Sequence, residues 1–265
     1  MIVEAIILGI LQGTLEWLPI SSQGNLVLIM VYFLGLEARE ALSLSVFLHV
    51  GTLFAAVVCF REDVLRVLRA LPAYRFSRVD GVNRQITFLL STTLMTVVVG
   101  FPMFLVARGA TLLGEVFIAL VGVALIITGS LQRSLGRGGR RVFLDLGVRD
   151  TLLLGVAQGL SAFPGVSRSG ITASALLFMG FGNREALRLS FLMGIPSILV
   201  AEVGLSLLGG LHAVNMTALV VGASFSFVSG VLSIHLLLKV AERARFWAFC
   251  LLLGVLALLP LFAYL

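Results

Sequence analysis

The chain has 265 residues, of which 59% are hydrophobic and only 12% charged, with a mean hydropathy of +1.11. A soluble domain is about 45–50% apolar and roughly 25% charged, so these values exclude a soluble enzyme and leave a membrane protein with several spans of ~20 residues. The formal charge of +6 would suit a nucleic-acid binder, but the placement of the arginines, given below, argues for no nucleic-acid partner.

Residues 1–13 carry Glu4 and no Lys or Arg, so they lack the basic segment of a cleaved secretory signal. Residues 2–34 are apolar but broken by a Pro–Ser cluster. Each half has about 14 residues, too few to span alone, so a re-entrant hairpin is expected. Apolar runs long enough to cross a bilayer follow at 41–60, 86–107 and 111–131. Residues 151–181 repeat the broken pattern and give a second re-entrant hairpin. Spans at 187–208, 217–238 and 246–265 complete the chain. The expected fold is an all-α integral membrane domain of six transmembrane helices plus two re-entrant helical hairpins. Cys59 and Cys250 lie in separate apolar runs, so no disulfide framework or cysteine metal site is expected.

Basic residues orient the spans. The 61–85 loop holds Arg61, Arg66, Arg69, Arg75, Arg78 and Arg84, and the 132–150 loop holds Arg133, Arg137, Arg140, Arg141 and Arg149. Arg184, Arg188, Lys239, Arg243 and Arg245 fill two more. If both hairpins return to their own side, these sixteen of the nineteen basic residues fall on one face, the cytoplasm. They read as solvated loop charge. Both termini are then expected outside, in a multi-pass protein of the cell membrane.

An internal repeat supports this plan. Gly9, Gln12 and Gly13 return as Gly155, Gln158 and Gly159, an offset of 146. Ile20, Ser21 and Gly24 meet Val166, Ser167 and Gly170 at the same offset. Arg39-Glu-Ala-Leu42 and Leu44-Ser45 return as Arg184-Glu-Ala-Leu187 and Leu189-Ser190 at 145. Repeat one covers 1–131 and repeat two 150–265. Each is one hairpin and three spans, so the two repeats are inverted, and such repeats place their site near the midplane between broken helices.

The hairpins carry the chemistry. Gln12 and Glu16 share a helix face. Pro19 stops the first half-helix, and Ser21 or Ser22 is placed to cap the second, with Asn25 one turn in. In the second hairpin Pro164 and Gly165 break the helix, and Ser167-Arg168-Ser169-Gly170 opens the next, with Arg168 and Thr172 on one face. An arginine at the bilayer centre costs about 2.5–3.5 kcal/mol. Pairing of Arg168 with Glu16 would explain both charges structurally. The surrounding Gln12, Ser21, Ser22, Asn25, Ser167, Ser169 and Thr172 suit a phosphate better, with Glu16 holding a cation or acting as a base. Of the remaining polar groups, Gly222, Ser226 and Gly230 form a small-residue packing face, as do Thr92, Thr96 and Gly100. Glu202 and His235 would be satisfied by pairing with each other, and Glu115 lies near the outer end of its span.

At these residues the chain resembles the undecaprenyl-diphosphate phosphatases of the bacitracin-resistance type. The likeness rests on Gly13, Glu16-Trp17-Leu18-Pro19-Ile20-Ser21-Ser22 and Gly24, and on Pro164-Gly165 with Ser167-Arg168-Ser169-Gly170. It extends over essentially the whole chain. The resemblance implies a membrane enzyme that hydrolyses a polyprenyl diphosphate to the monophosphate on the outer face, with a divalent cation, Mg²⁺ or Ca²⁺. It implies catalytic roles for Glu16, Ser22 and Arg168, metal binding by Glu16, and substrate contacts from Gln12, Ser21, Asn25, Ser167, Ser169 and Thr172. Gln12 stands where some members have a second Glu. Asn25 stands where most bacterial members have His, a candidate base or nucleophile. Asn transfers no proton near neutral pH, so the reaction is slow, runs on Glu16, or gives way to another function. His49 resembles a common family His and reads as a hydrogen-bonded packing residue. The rival class is a polyprenyl-phosphate transporter using the same anion site, and a weaker one a non-catalytic lipid-binding protein. A homo-oligomer is compatible with the sequence.

Overall fold

A computed structural model of the chain describes residues 2–18, 22–36, 38–76, 81–109, 139–162, 166–209 and 216–243, with scattered positions between 123 and 133 and between 248 and 258. Most of the expected spans at 111–131 and 246–265, with Glu115, and the hairpin residues Pro19, Ile20, Ser21, Pro164 and Gly165 lie outside the described residues. Among the described residues the regular structure is helical. Nine longer helices lie among the described residues: α1 (Ile2–Leu15), α2 (Ser22–Leu34), α3 (Ala38–Cys59), α4 (Arg61–Ala70), α5 (Gly81–Gly109), α6 (Val148–Leu160), α7 (Arg168–Phe178), α8 (Asn183–Gly209) and α9 (Met216–Arg243).

Local chemistry sets the breaks. The chain leaves α1 through a turn closed by Leu18 N–H donating to the Leu15 carbonyl at 3.2 Å, because Pro19 disfavours a helical Leu18. Ser167 caps α7, its hydroxyl accepting from Gly170 N–H at 3.1 Å. Gly35 and Gly180 follow α2 and α7 with φ of 65° and 85°, the left-handed step that ends a helix. Their separation is the repeat offset of 145.

Segments of α5, α8 and α9 are long and apolar enough to cross a membrane. On α5 the exposed Leu90, Leu94, Val97, Val98, Phe101 and Leu105 fall on one side, a lipid-facing stripe. The chain is thus an all-helical membrane protein. The 61–85 region, expected as a loop, begins instead with α4, bent by 83° from α3. Apolar Val64, Leu65, Val67 and Leu68 among charged residues make α4 amphipathic, a pattern that its charge density hides in a search for spans.

Each hairpin's first helix packs against a long helix far away in sequence. A Cβ added at Gly9 would strike the Gly222 carbonyl, and one at Gly13 the Ser226 carbonyl and Ser229 hydroxyl of α9. A Cβ at Gly155 would strike Met95, and one at Gly159 would strike Val99, both on α5. The small-residue faces expected at 222–230 and 92–100 are these contact surfaces, where the absence of side chains lets backbones close up. Trp17 and Phe191, both fully buried, meet edge-on at 5.0 Å in the main core.

The basic segments converge at one end but are not simply solvated. Arg188 grips both oxygens of buried Asp63 at 2.8 Å, and Gln85 donates to Asp63 at 3.2 Å. Arg84 donates to the Leu146 carbonyl. Arg141 donates to the Met179 carbonyl at 2.9 Å, pairs with Asp150 and lies 4.8 Å over the Phe181 ring. The Gly147 N–H and then Arg141 hold the Asp150 carboxyl below the usual carboxylate range. The expected Glu202–His235 pair is also corrected. His235 Nδ1 faces the Val231 carbonyl at 2.8 Å and Cys59 Sγ at 3.7 Å, whereas Glu202 is in electrostatic range of His49 and Glu16.

Candidate active site

The site forms where the hairpin breaks meet α3 and α8. Glu16 stands just past α1, its N–H donating to the Gln12 carbonyl at 3.0 Å. It is 7% exposed. Its carboxylate is ringed by four side chains. Oε2 accepts from Ser22 Oγ at 2.6 Å and from Gln12 Nε2 at 3.1 Å, and His49 Nε2 lies 3.1 Å away. Oε1 accepts from Arg168 Nη2 at 3.0 Å. A buried carboxylate requires such compensation.

Arg168 is the first residue of α7, so the helix N-terminus and the guanidinium are adjacent. The guanidinium lies 5.6 Å from the Trp17 ring centroid, and Nη1 lies 3.5 Å from the Ser190 carbonyl. Gly194 of α8 closes its other side, where any Cβ would overlap the guanidinium. This charge therefore has little freedom except along the direction of Glu16.

The hydroxyls bind hairpin to hairpin. Ser167 and Ser169 donate to the Leu18 carbonyl at 3.2 and 2.7 Å, which ties the start of α7 to the break after α1. Thr172 donates to the Arg168 carbonyl at 2.7 Å and shares a 2.6 Å bond with Ser190. The expected Gln12, Glu16, Ser22 and Arg168 thus join in one network, with Ser167, Ser169 and Thr172 bracing it. Asn25 is exposed on α2. His49, which the sequence alone presents as a packing residue, touches Glu16. Ser190 was not singled out as a site residue, although it lies in the repeated Leu-Ser pair.

Residues 5–259 match the family model of the bacitracin resistance protein BacA. The chain belongs to the BacA family. A relative named undecaprenyl-diphosphatase from Methanococcoides burtonii is 48% identical over 263 residues, 98% of each chain. Relatives of the same name from Haloarcula marismortui and Methanopyrus kandleri are 38% and 37% identical, each covering 96% of this chain and 94% of its own.

In this BacA-family site, a divalent cation must be weighed against the groups present. Among the described residues no three His, Cys, Asp or Glu side chains converge on one point. Gln12 Oε1, however, is buried without a hydrogen-bond partner. With the Glu16 carboxylate and the Ser22 hydroxyl it makes an all-oxygen set. Such a set fits Mg²⁺ or Ca²⁺ when substrate phosphates supply further ligands.

Proposed function

We propose that this protein is a membrane undecaprenyl-diphosphate phosphatase, which releases the terminal phosphate of a polyprenyl diphosphate and leaves the polyprenyl monophosphate. One observation carries the reading: a single buried carboxylate holds a hydroxyl at 2.6 Å and a guanidinium at 3.0 Å where two broken hairpins meet. The prenyl tail stays in the bilayer, each buried CH₂ being worth ~0.8 kcal/mol, so the head group must be met at the membrane.

Arg168 exchanges Glu16 for the diphosphate, whose paired oxygens suit its planar fork, and the first amides of α7 add to the hold. Ser22, or a water in its place, attacks the terminal phosphorus and gives its proton to Glu16 as the new O–P bond forms. The bridging P–O bond breaks, and its electron pair stays on the polyprenyl phosphate. If Ser22 attacks, water then cleaves its phosphoester and restores the hydroxyl. Glu16, Gln12 and Ser22 would hold the cation, which supplies charge neutralisation on the phosphates when bound. Phosphoryl transfer depends mostly on positioning and electrostatics, so Asn25 does not preclude it.

The same reading places six spans and two re-entrant hairpins in inverted repeats, 1–131 and 150–265, in the cell membrane, with termini outside and basic segments cytoplasmic. The crossed seating of α1 on α9 and α6 on α5 supports it, as does the gathering of Asp63, Arg84, Arg141 and Arg188 at one end. The test is phosphate release by purified protein from a panel running from farnesyl to undecaprenyl diphosphate, with Mg²⁺ or Ca²⁺. Release is expected. No release, with head-group translocation in liposomes, would replace the enzyme with a transporter.

A further inference from the structure

We infer that His49 is a positioning residue for the phosphatase site, holding the Glu16 carboxylate on the attacking hydroxyl once Arg168 has turned to the substrate. The inference rests on the phosphatase reading above. His49 stands mid-way along α3, and its side chain is 13% exposed. Its Nδ1 lies 2.7 Å from the Ser45 carbonyl. A carbonyl oxygen only accepts, so Nδ1 carries a hydrogen and donates it. That bond fixes the ring against its own helix and aims Nε2 at Glu16 Oε2, 3.1 Å away. There Nε2 must carry a second hydrogen to donate to the carboxylate, so the pair is an imidazolium on a carboxylate. The same Oε2 accepts from Ser22.

The consequence appears when the diphosphate draws Arg168 away. Among the described bonds, Oε1 then loses that from Arg168, and the carboxylate keeps those on Oε2. Gln12 sits four residues before Glu16, so its bond ties the carboxylate only to the helix that Glu16 itself follows. Ser22 is the group to be activated. His49 alone among these three ties Glu16 to a different, long helix. His49 acts through the base Glu16 and not on the phosphate itself.

The experiment compares wild type, His49→Leu and His49→Gln, each alone and combined with Glu16→Gln, by initial rates of phosphate release across substrate concentration. Loss of a hydrogen bond to a charged group should lower kcat of His49→Leu by about 10- to 100-fold while KM moves less than about 3-fold. His49→Gln, which can still donate to Glu16, should recover most of that loss. In the Glu16→Gln background His49→Leu should lower the residual rate by less than about 2-fold, because coupled residues are not additive. If His49→Leu does not fold, the same cycle with His49→Ala, which also lacks a donor, decides, a merely structural role lowering both backgrounds equally. A wild-type kcat in His49→Leu, or an equal drop in both backgrounds, overturns the inference alone. No phosphate release by the wild type sinks the phosphatase reading and this inference with it.

Discussion

The two hairpins share a plan and differ in what they contribute. Each opens with a helix that carries Gln, then Gly, and is seated on a distant span, and each breaks before a second short helix. At the offset of 146, Ala162 stands opposite Glu16 and Arg168 opposite Ser22. The carboxylate therefore occurs only on the first hairpin and the guanidinium only on the second. The matched glutamines diverge as well. Gln12 donates to Glu16 at 3.1 Å, whereas Gln158 donates to Thr96 at 2.9 Å and faces the Met193 carbonyl. One repeated framework thus supplies complementary charges to a shared centre, and the copy not needed for chemistry reverts to packing.

This contrast can be broken most directly at Arg168. Arg168→Ala should cut phosphate release by at least about 10³-fold, as loss of a transition-state donor does, and Arg168→Lys should restore little because an ammonium lacks the planar fork. Steady-state kinetics would show it, and near-normal turnover in Arg168→Ala would remove the second hairpin from the chemistry. Glu16→Gln should lower kcat by about 10²–10³-fold, the worth of a general base, and an unchanged rate would remove the first.

The glutamines sharpen the comparison further. Gln12→Ala should slow turnover by about 10-fold, the equivalent of one hydrogen bond to a charged group. Gln158→Ala should leave turnover alone and cost about 1 kcal/mol of stability, read by thermal unfolding in detergent. Reversal of that pattern would mean that the matched residues have been assigned to the wrong tasks. Smallest of all, Ser167→Ala removes the α7 cap and should destabilise by about 1 kcal/mol, with a modest rate effect through the loosened Leu18 contact.

Much of the centre is legible in the sequence because it stands against the local background. A proline inside an apolar run breaks a helix, and a charge in such a run demands a partner, so Glu16 and Arg168 identify each other. His49 escapes that logic. A histidine in a span is readable, but its facing depends on how α3 is rotated against the first hairpin, which is settled by Gly51 closing on the Ala223 carbonyl and by neighbouring contacts. The arginines mislead for a related reason. Counting them orients the chain, yet nothing in the count tells Arg141, bonded to Met179 and Asp150, from a solvated charge. The 61–70 stretch is hidden by its five charged residues among ten, although its apolar positions keep helical spacing.

That bent helix has a bearing on where the reaction occurs. A helix turned through 83° from α3, with Leu65 and Leu68 exposed beside Arg61, Arg66 and Arg69, has the pattern of a helix that lies in a head-group layer. His49 lies ten residues below Cys59 at the end of α3, or about 15 Å down at 1.5 Å per residue. That is half of a ~30 Å hydrocarbon slab. On the proposed membrane placement the diphosphate is drawn to the middle of the oil, and only a protein that brings its own charges to that depth can receive it.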